Sequence, residues 1–235
     1  MGRPLLLLTR PEQQSRRLAR AAQVRFPDLE IVISPLMQAV FLDAEIPAGT
    51  GLIFTSETAV AAYCKASADR DAVAWCVGPQ TAAAAADAGF VTRTGPGTAL
   101  ELMQHIQAEN PVGPLIWPHG KNIAFDIARG LNSAGIETVP VVLYRQDPVP
   151  LSDKAARALA GDAPVLVPVF SQRSARLLIP SLQGRTAPLY VAAISQNAAD
   201  ELRDVAPDRL CIAQTPDGDG VLEAIGQLLA QISAP

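Results

Sequence analysis

The chain has 235 residues, 49% of them hydrophobic and 18% charged, and its formal net charge of −4 at pH 7 argues against a nucleic-acid partner held by bulk electrostatics. No apolar stretch approaches the about 18 residues that a membrane span needs, and the Leu5–Leu8 run is too short for a signal peptide, so we expect a cytoplasmic protein without a membrane partner. The three cysteines are scattered and lie far from the two histidines, so we predict reduced thiols and no metal site.

Short apolar runs bounded by Gly, Pro, Ser or Asp alternate with stretches of helical periodicity along the whole chain. We predict strands at Pro4–Leu8, Glu30–Ile33, Gly51–Phe54, Val73–Val77, Val91–Arg93, Leu115–Trp117, Thr138–Leu143, Val165–Phe170, Leu189–Ala193 and Leu210–Ala213. The stretches between them carry helix boundary signals, such as Pro79 at a start and Gly89 at an end. Regular strand–helix alternation predicts an α/β fold of parallel sheets flanked by helices.

Several segments of the chain repeat at a nearly constant spacing. Alignment of two Phe-containing turns places Phe54 opposite Phe170 (170 − 54 = 116), and a second pair places Gly78 opposite Ser195 (195 − 78 = 117). The first strand–helix unit also resembles the unit that begins at Leu115. These repeats predict a duplicated domain.

Two pairings of the repeated units are compatible with this pattern. Consecutive units could form sequential domains, or the first unit could pair with the last. The proline-bearing segments 33–37 and 144–150 are the best candidates for bridges between domains, and they favour the second pairing.

Familiar cofactor and nucleophile motifs are absent from the sequence. The turn Gly95–Gly97 lacks the third glycine of a dinucleotide-binding fingerprint. The segment from Gly113 to Lys121 is too long for a P-loop and is interrupted by Pro118. Two distant histidines do not support a Ser-His-Asp triad. We therefore expect no cofactor.

Polar turns follow four of the predicted strands and open helices. Their polar members are Thr55 and Ser56, Gln80 and Thr81, Ser171 and Gln172, and Ser195, Gln196 and Asn197. Exposed backbone N–H groups and the positive end of the helix dipole make such turns candidate carboxylate or phosphate sites. Ordinary capping by the hydroxyl and amide side chains is the simpler interpretation of any one turn.

Charged and aromatic side chains at similar positions are the remaining candidates. Four cations lie on similar turns or on a predicted bridge: Arg10, Lys121, Arg145 and Arg173. Each is either an anion-binding group or a solvated surface charge. Tyr144 stands between an apolar strand and a predicted bridge, and its alternative role is packing with a hydrated hydroxyl.

An ordered set of these motifs resembles the uroporphyrinogen-III synthase family over nearly the whole chain. The matching segments are Thr9-Arg-Pro11 after the first strand, Ile53-Phe-Thr-Ser56, Val77-Gly-Pro-Gln-Thr-Ala82, Ala88-Gly89, Leu143-Tyr-Arg145, and the turns at Phe170 and Ile194. The resemblance implies two similar flavodoxin-like domains joined by a two-segment linker. The first would be discontinuous, with residues 1–34 and 147–235, and the second would be inserted, with residues 37–143.

The resemblance also implies a reaction and a set of site residues. The family cyclises linear hydroxymethylbilane with loss of water and inversion of the terminal pyrrole, through a spiro intermediate and without metal or organic cofactor. Tyr144 matches the family's bridge tyrosine and would assist departure of hydroxide, and the polar turns and cations named above would bind the substrate carboxylates. We expect a monomer that receives hydroxymethylbilane from the preceding deaminase.

Two departures and two rival interpretations accompany this resemblance. The turn Ser195–Ala198 lacks the hydroxyl pair that family members often have, and Arg173 adds a charge to the Phe170 turn. The main rival is a non-catalytic bilobal binder of an anionic small molecule. A receiver-like signalling module would need acidic residues where this chain has Thr, Ser and Gly.

Overall fold

The structure, a computed structural model, describes residues 2–233. The chain divides into two compact units. One unit consists of the described residues up to Gln38 and those from Pro148 onward, and the other is Ala39–Asp147. No helix among the described residues is long and apolar enough to cross a membrane.

Eleven strands and nine α-helices occur in residues 2–233. The strands are β1 (Leu5–Leu8), β2 (Glu30–Ile33), β3 (Met37–Phe41), β4 (Gly51–Phe54), β5 (Val73–Cys76), β6 (Thr92–Thr94), β7 (Leu115–Gly120), β8 (Thr138–Pro148), β9 (Val165–Val169), β10 (Leu189–Ala193) and β11 (Arg209–Ile212). The helices are α1 (Glu12–Arg25), α2 (Glu57–Ala66), α3 (Pro79–Asp87), α4 (Ala99–Glu109), α5 (Ile127–Ser133), α6 (Asp153–Leu159), α7 (Gln172–Leu182), α8 (Gln196–Asp200) and α9 (Gly218–Ser233).

The first unit is built on a five-stranded parallel sheet with the order β11-β10-β9-β1-β2. Successive side chains of a strand point to opposite faces, so the four leucines of β1 enter two cores. Leu5 and Leu7 pack with α6, α7 and α8, whereas Leu6 and Leu8 pack with α1 and α9. Taken in chain order, the strands have the flavodoxin-like order 2-1-3-4-5.

The second unit repeats this arrangement around the order β3-β8-β7-β4-β5-β6. Strand pairs β7–β8, β4–β7, β4–β5 and β5–β6 are parallel. On β4, Leu52 and Phe54 pack with α2 and α3, and Ile53 packs with α4 and α5. Without the edge strand β3, the order corresponds strand by strand to that of the first unit, as the duplicated sequence predicts. The predicted parallel α/β class is therefore confirmed.

The serines that cap equivalent helices show how the two repeated units align, and they correct one predicted match. The side chains of Ser56 and Ser171 cap α2 and α7, so these two serines are equivalent (171 − 56 = 115). The predicted match of Phe54 with Phe170 is thus wrong by one residue. Phe54 is fully buried inside β4, whereas Phe170 follows the end of β9 and is partly exposed.

The chain passes from one unit to the other after Gln38 and after Asp147, beside one predicted bridge and within the other. Part of each segment is β-strand. Residues 144–148 continue β8, and the other segment leads directly into β3, whose Met37–Phe41 was not predicted as a strand. The backbone N–H of Leu42 donates to the carbonyl of Leu143 at 2.8 Å, beside the paired strands. Strands β3 and β8 pair their backbone N–H and C=O groups with each other, although about a hundred residues separate them in the chain. No side chain of β3 is fully buried, so the apolar pattern that predicts a strand is missing there.

Candidate functional site

The second unit contains a crevice at the point where the connections from two neighbouring strands run in opposite directions along the sheet. Strands β4 and β7 are parallel neighbours, but β4 continues to β5 on one side and β7 to β8 on the other. Parallel α/β sheets bind ligands at such a switch point, outside the carboxyl ends of the strands. A cavity of about 260 Å³ lies there. Its lining residues are Thr55, Ser56, Val77, Ala99, Trp117, His119, Gly120, Asn122, Ile123, Ala124, Phe125 and Tyr144.

The phenol of Tyr144 is the central polar group of this pocket. Tyr144 is 9% exposed, and its hydroxyl lies 3.0 Å from the hydroxyl of Ser56. Either hydroxyl can donate in this pair. Ser56 Oγ also accepts the backbone N–H of Ala59 at 3.1 Å, which ties the pair to the N-terminus of α2. The positive end of that helix dipole favours negative charge that develops on these oxygens.

An irregularity in strand pairing directs Tyr144 into the pocket. His119 pairs with Val142 and Gly120 pairs with Tyr144, so one residue of β8 is left over between these pairs. Bulges of this kind redirect side chains and are frequent beside active sites. A Cβ on Gly120 would lie 2.6 Å from Cε2 of the Tyr144 ring, so only glycine allows this close approach of strand and phenol.

The opposite wall is formed by an aromatic pair on β7. The rings of Trp117 and His119 are stacked, with centroids 4.3 Å apart and planes 25° apart. The indole N–H of Trp117 donates to Thr55 Oγ1 at 3.4 Å, and Nδ1 of His119 lies 2.9 Å from the carbonyl oxygen of Gly120. The pocket therefore presents two hydroxyls, a phenol and an imidazole beside a flat apolar surface.

The structure brings only part of the predicted site into this pocket. Thr55, Ser56 and Tyr144 line it. Gln80 is exposed in the first turn of α3, and Thr81 is buried on the inner side of that helix. Two predicted cations flank the pocket without lining it. The backbone N–H of Lys121 donates to the carbonyl of Tyr144, and its side chain is exposed. Arg145 Nε donates to both carboxylate oxygens of Asp147, at 2.9 and 3.0 Å.

Sequence reasoning missed Trp117 and His119 as pocket residues. The predicted strand ends at Trp117, whereas β7 continues through Gly120. One signal could have identified the imidazole. The spacing that matches the unit at Leu115 to the opening unit (129 − 20 = 109) also places His119 opposite the predicted cation Arg10 (119 − 10 = 109).

In the first unit, the predicted cation Arg10 lies at the equivalent switch point, between β1 and β9. Its guanidinium carbon is 3.9 Å from the centroid of the Phe170 ring, and its Nε donates to Gln14 Oε1 at 3.1 Å. Stacking on an aromatic face holds a guanidinium in a fixed position.

The other predicted residues of the first unit occupy helix starts at the same edge of the sheet. Ser171 and Ser195 cap α7 and α8 through their hydroxyls, as the capping interpretation predicts. Gln172 donates to Glu201 at 3.1 Å, and Gln196 donates to Asp200 at 2.7 Å. The remaining two, Arg173 and Asn197, lie in the first turns of α7 and α8.

Comparisons with known proteins fit this arrangement. The family model described as uroporphyrinogen-III synthase HemD matches residues 19–223, which is most of the chain. The chain belongs to the uroporphyrinogen-III synthase family. Its fold is similar to that of the crystal structure of uroporphyrinogen-III synthetase from Helicobacter pylori 26695, with 16% identity, 97% of this chain and 100% of that chain covered, and a TM-score of 0.68. A mutant uroporphyrinogen III synthase from the extremely thermophilic bacterium Thermus thermophilus has 14% identity, 98% and 100% coverage, and a TM-score of 0.48. No curated protein sequence matches the chain.

Family membership makes the chain an enzyme of haem biosynthesis. No observation favours the alternative of a non-catalytic binder. The described residues contain no group of three His, Cys, Asp or Glu side chains placed to hold a metal ion. The pocket at the β4–β7 switch point is thus the candidate site in which to look for the family's chemistry.

Proposed function

We propose that this chain is a lyase that cyclises linear hydroxymethylbilane to uroporphyrinogen III, with loss of water and inversion of the terminal pyrrole ring. The family match over residues 19–223 carries the choice of reaction. The hydrogen-bonded pair of Tyr144 and Ser56 at the switch-point pocket supports this site for it.

The first chemical requirement is departure of the substrate's terminal hydroxyl group as water. Tyr144 donates its phenolic proton to that oxygen while Ser56 turns its own O–H toward the phenol oxygen. The N–H of Ala59 binds a lone pair of Ser56 Oγ, so the Ser56 O–H remains to make this donation. Charge that develops on the phenol oxygen then lies at the N-terminus of α2. The proton returns when the ring carbon that closes the macrocycle loses its hydrogen.

The pocket accepts one part of the substrate rather than all of it. Its volume of about 260 Å³ is below the about 300–1,000 Å³ of pockets that enclose whole drug-sized ligands. A single pyrrole ring can lie against the stacked face of Trp117 and His119. Holding this ring in one orientation lowers the entropic barrier to ring closure, which is the main help that such a reaction needs.

The carboxylates of the remaining rings require cationic and N–H donors. Lys121 and Arg145 flank the pocket with exposed side chains, and the N-termini of α2 and α3 offer backbone donors. Arg10 and the turns at Ser171 and Ser195 belong to the same proposal, as substrate-binding groups of the first unit. We place the enzyme in the cytoplasm as a monomer that receives hydroxymethylbilane from the preceding deaminase.

A coupled assay tests this function. Porphobilinogen and its deaminase are incubated with and without the chain, and the oxidised products are separated into porphyrin isomers. A shift from uroporphyrin I to uroporphyrin III supports the proposal. If only isomer I forms in the presence of protein that is demonstrably folded, the proposal is refuted.

A further inference from the structure

His119 is held in one orientation with one ring nitrogen unused. The residue is 8% exposed, its ring lies flat against the indole of Trp117, and its Nδ1 is 2.9 Å from the carbonyl oxygen of Gly120. A carbonyl oxygen only accepts hydrogen bonds, so Nδ1 carries a proton. The other nitrogen, Nε2, makes no hydrogen bond within residues 2–233. Since no buried polar side-chain atom of the described residues lacks a partner, Nε2 is not sealed in the core but opens into the pocket that His119 lines.

Apart from His119, the described residues that line this pocket include no side chain that can carry a positive charge. Among the described residues that line it, only His119 and Tyr144 can change protonation state, and no lysine, arginine, aspartate or glutamate is included. Charged neighbours lie on the surrounding elements, among them Arg145 on β8 and Glu101 in the first turn of α4. Three others are close in sequence to lining residues. They are Lys121, which is exposed after β7; Asp126, which caps α5; and Glu57, in the first turn of α2. The imidazole is therefore the one side chain lining the described pocket that can become a cation.

We propose that His119 is a substrate-contacting residue whose Nε2 donates a hydrogen bond to one carboxylate of the pyrrole ring held in this pocket. This role rests on the proposed function, because it deepens the account of the same site. In the protonated imidazole both nitrogens donate, so Nδ1–H keeps its bond to Gly120 while Nε2–H binds the carboxylate. Stacking on Trp117 stabilises the cation from its face.

The same contact fixes the ring relative to the phenol. Gly120 accepts the imidazole's hydrogen bond and also lies against the ring of Tyr144. A carboxylate bound at Nε2 therefore anchors its pyrrole in the pocket that contains the proposed proton donor. Because the cationic imidazole is the binding form, the Michaelis constant should rise with pH as the imidazole loses its proton.

Nuclear magnetic resonance tests this contact without a change at His119. The chain has only two histidines, and His105 is a partly exposed residue of α4 outside the pocket, so His105→Gln leaves His119 as the source of every imidazole signal. Anaerobic uroporphyrinogen III is added at pH 7.5. We expect the imidazole signals to move toward those of imidazolium. Unmoved imidazole signals, while other signals report that the ligand has bound, would overturn the proposal.

Kinetics provide the second test. We expect His119→Phe, which keeps an aromatic ring against Trp117, to raise the Michaelis constant about tenfold near pH 6.5, equivalent to about 1.4 kcal/mol of binding free energy. The increase should shrink toward pH 8.5, and kcat should change less than the Michaelis constant. His119→Gln, a smaller perturbation, should also remove the pH dependence. His105→Gln should retain the wild-type profile.

The outcomes separate this inference from the proposed function. If the wild-type chain forms uroporphyrinogen III but both His119 variants keep its Michaelis constant and pH profile, the contact is refuted and the function stands. If the wild-type chain forms no isomer III, the proposed function fails, and the resonance titration still reads whether His119 binds the octacarboxylate. A pH-independent Michaelis constant in the wild type also contradicts the contact.

Discussion

Replacing Tyr144 by phenylalanine should slow the reaction while leaving the chain folded. The substitution keeps the ring that packs against Gly120 and removes only the hydroxyl that contacts Ser56 at 3.0 Å. Ser56 Oγ keeps its bond from the Ala59 N–H, so no buried group is left without a partner. Loss of one such hydrogen bond reduces the free energy of unfolding by about 0.5–1.5 kcal/mol. For a chain of this size, each kcal/mol lowers Tm by about 2–4 °C.

The effect on rate should be much larger. A positioned general acid contributes about 10²–10⁴-fold to a reaction. We expect the kcat of Tyr144→Phe to fall about a hundredfold, which corresponds to about 2.7 kcal/mol of activation free energy. The Michaelis constant should change little, because the ring and the rest of the pocket remain.

Tyr63→Phe is the matched control for this variant. Tyr63 is a buried tyrosine of the same unit that packs against Phe54 and Phe90 and does not line the pocket. Burial, the largest of several influences, raises the pKa of its phenol. Both variants lose one hydroxyl from a buried ring. Steady-state kinetics and thermal unfolding are measured for both. Equal kcat values for Tyr144→Phe and Tyr63→Phe would refute the proton-donor role of Tyr144.

Three further predictions concern the walls of the pocket, its flanking cations and the thiols. Gly120→Ala should lower the free energy of unfolding by about 1–3 kcal/mol and reduce kcat, because the new Cβ would overlap the ring of Tyr144. Gly218→Ala is the control, since the space around Gly218 is open, and it should change neither quantity in thermal-melt and rate measurements. Lys121→Ala and Arg145→Ala should each raise the Michaelis constant more at low salt than at high salt, and equal constants across a salt series would contradict their role in binding. Burial raises the pKa of Cys76 to about 12, so at pH 8 this thiol stays protonated and should react with a disulfide reagent only after unfolding, later than the other two thiols.

The parallel sheets could be predicted because their signals are local. Runs such as Leu5–Leu8 and Gly51–Phe54 are continuous apolar segments, and the serines that follow other strands cap the next helix through their own side chains. The edge strand β3 had no such signal. It depends on pairing with the end of β8, and the prolines near both segments indicated a passage between domains without indicating a strand. Local composition does not record a partner that lies about a hundred residues away.

Some residues of the candidate site could likewise be predicted from local sequence, and others could not. Ser56 and Tyr144 could be identified from a polar turn and a tyrosine at a strand end, and their contact joins residues 88 positions apart that no single motif shows. Only the repeat spacing pointed to His119, because its position in the pocket depends on β7 continuing past Pro118 and on the bulge opposite Gly120. Both depend on the neighbouring strand β8, which local sequence does not report.

The central claim is that this chain directs ring closure of hydroxymethylbilane toward the inverted isomer. The most direct test supplies freshly prepared hydroxymethylbilane to the purified chain, without the deaminase, and follows the isomer ratio with time against a heat-inactivated sample. The account predicts that uroporphyrinogen III becomes the main product with the active chain and uroporphyrinogen I with the inactivated one. An isomer ratio that is the same in both samples, from protein whose folding is verified by its thermal transition, would contradict it.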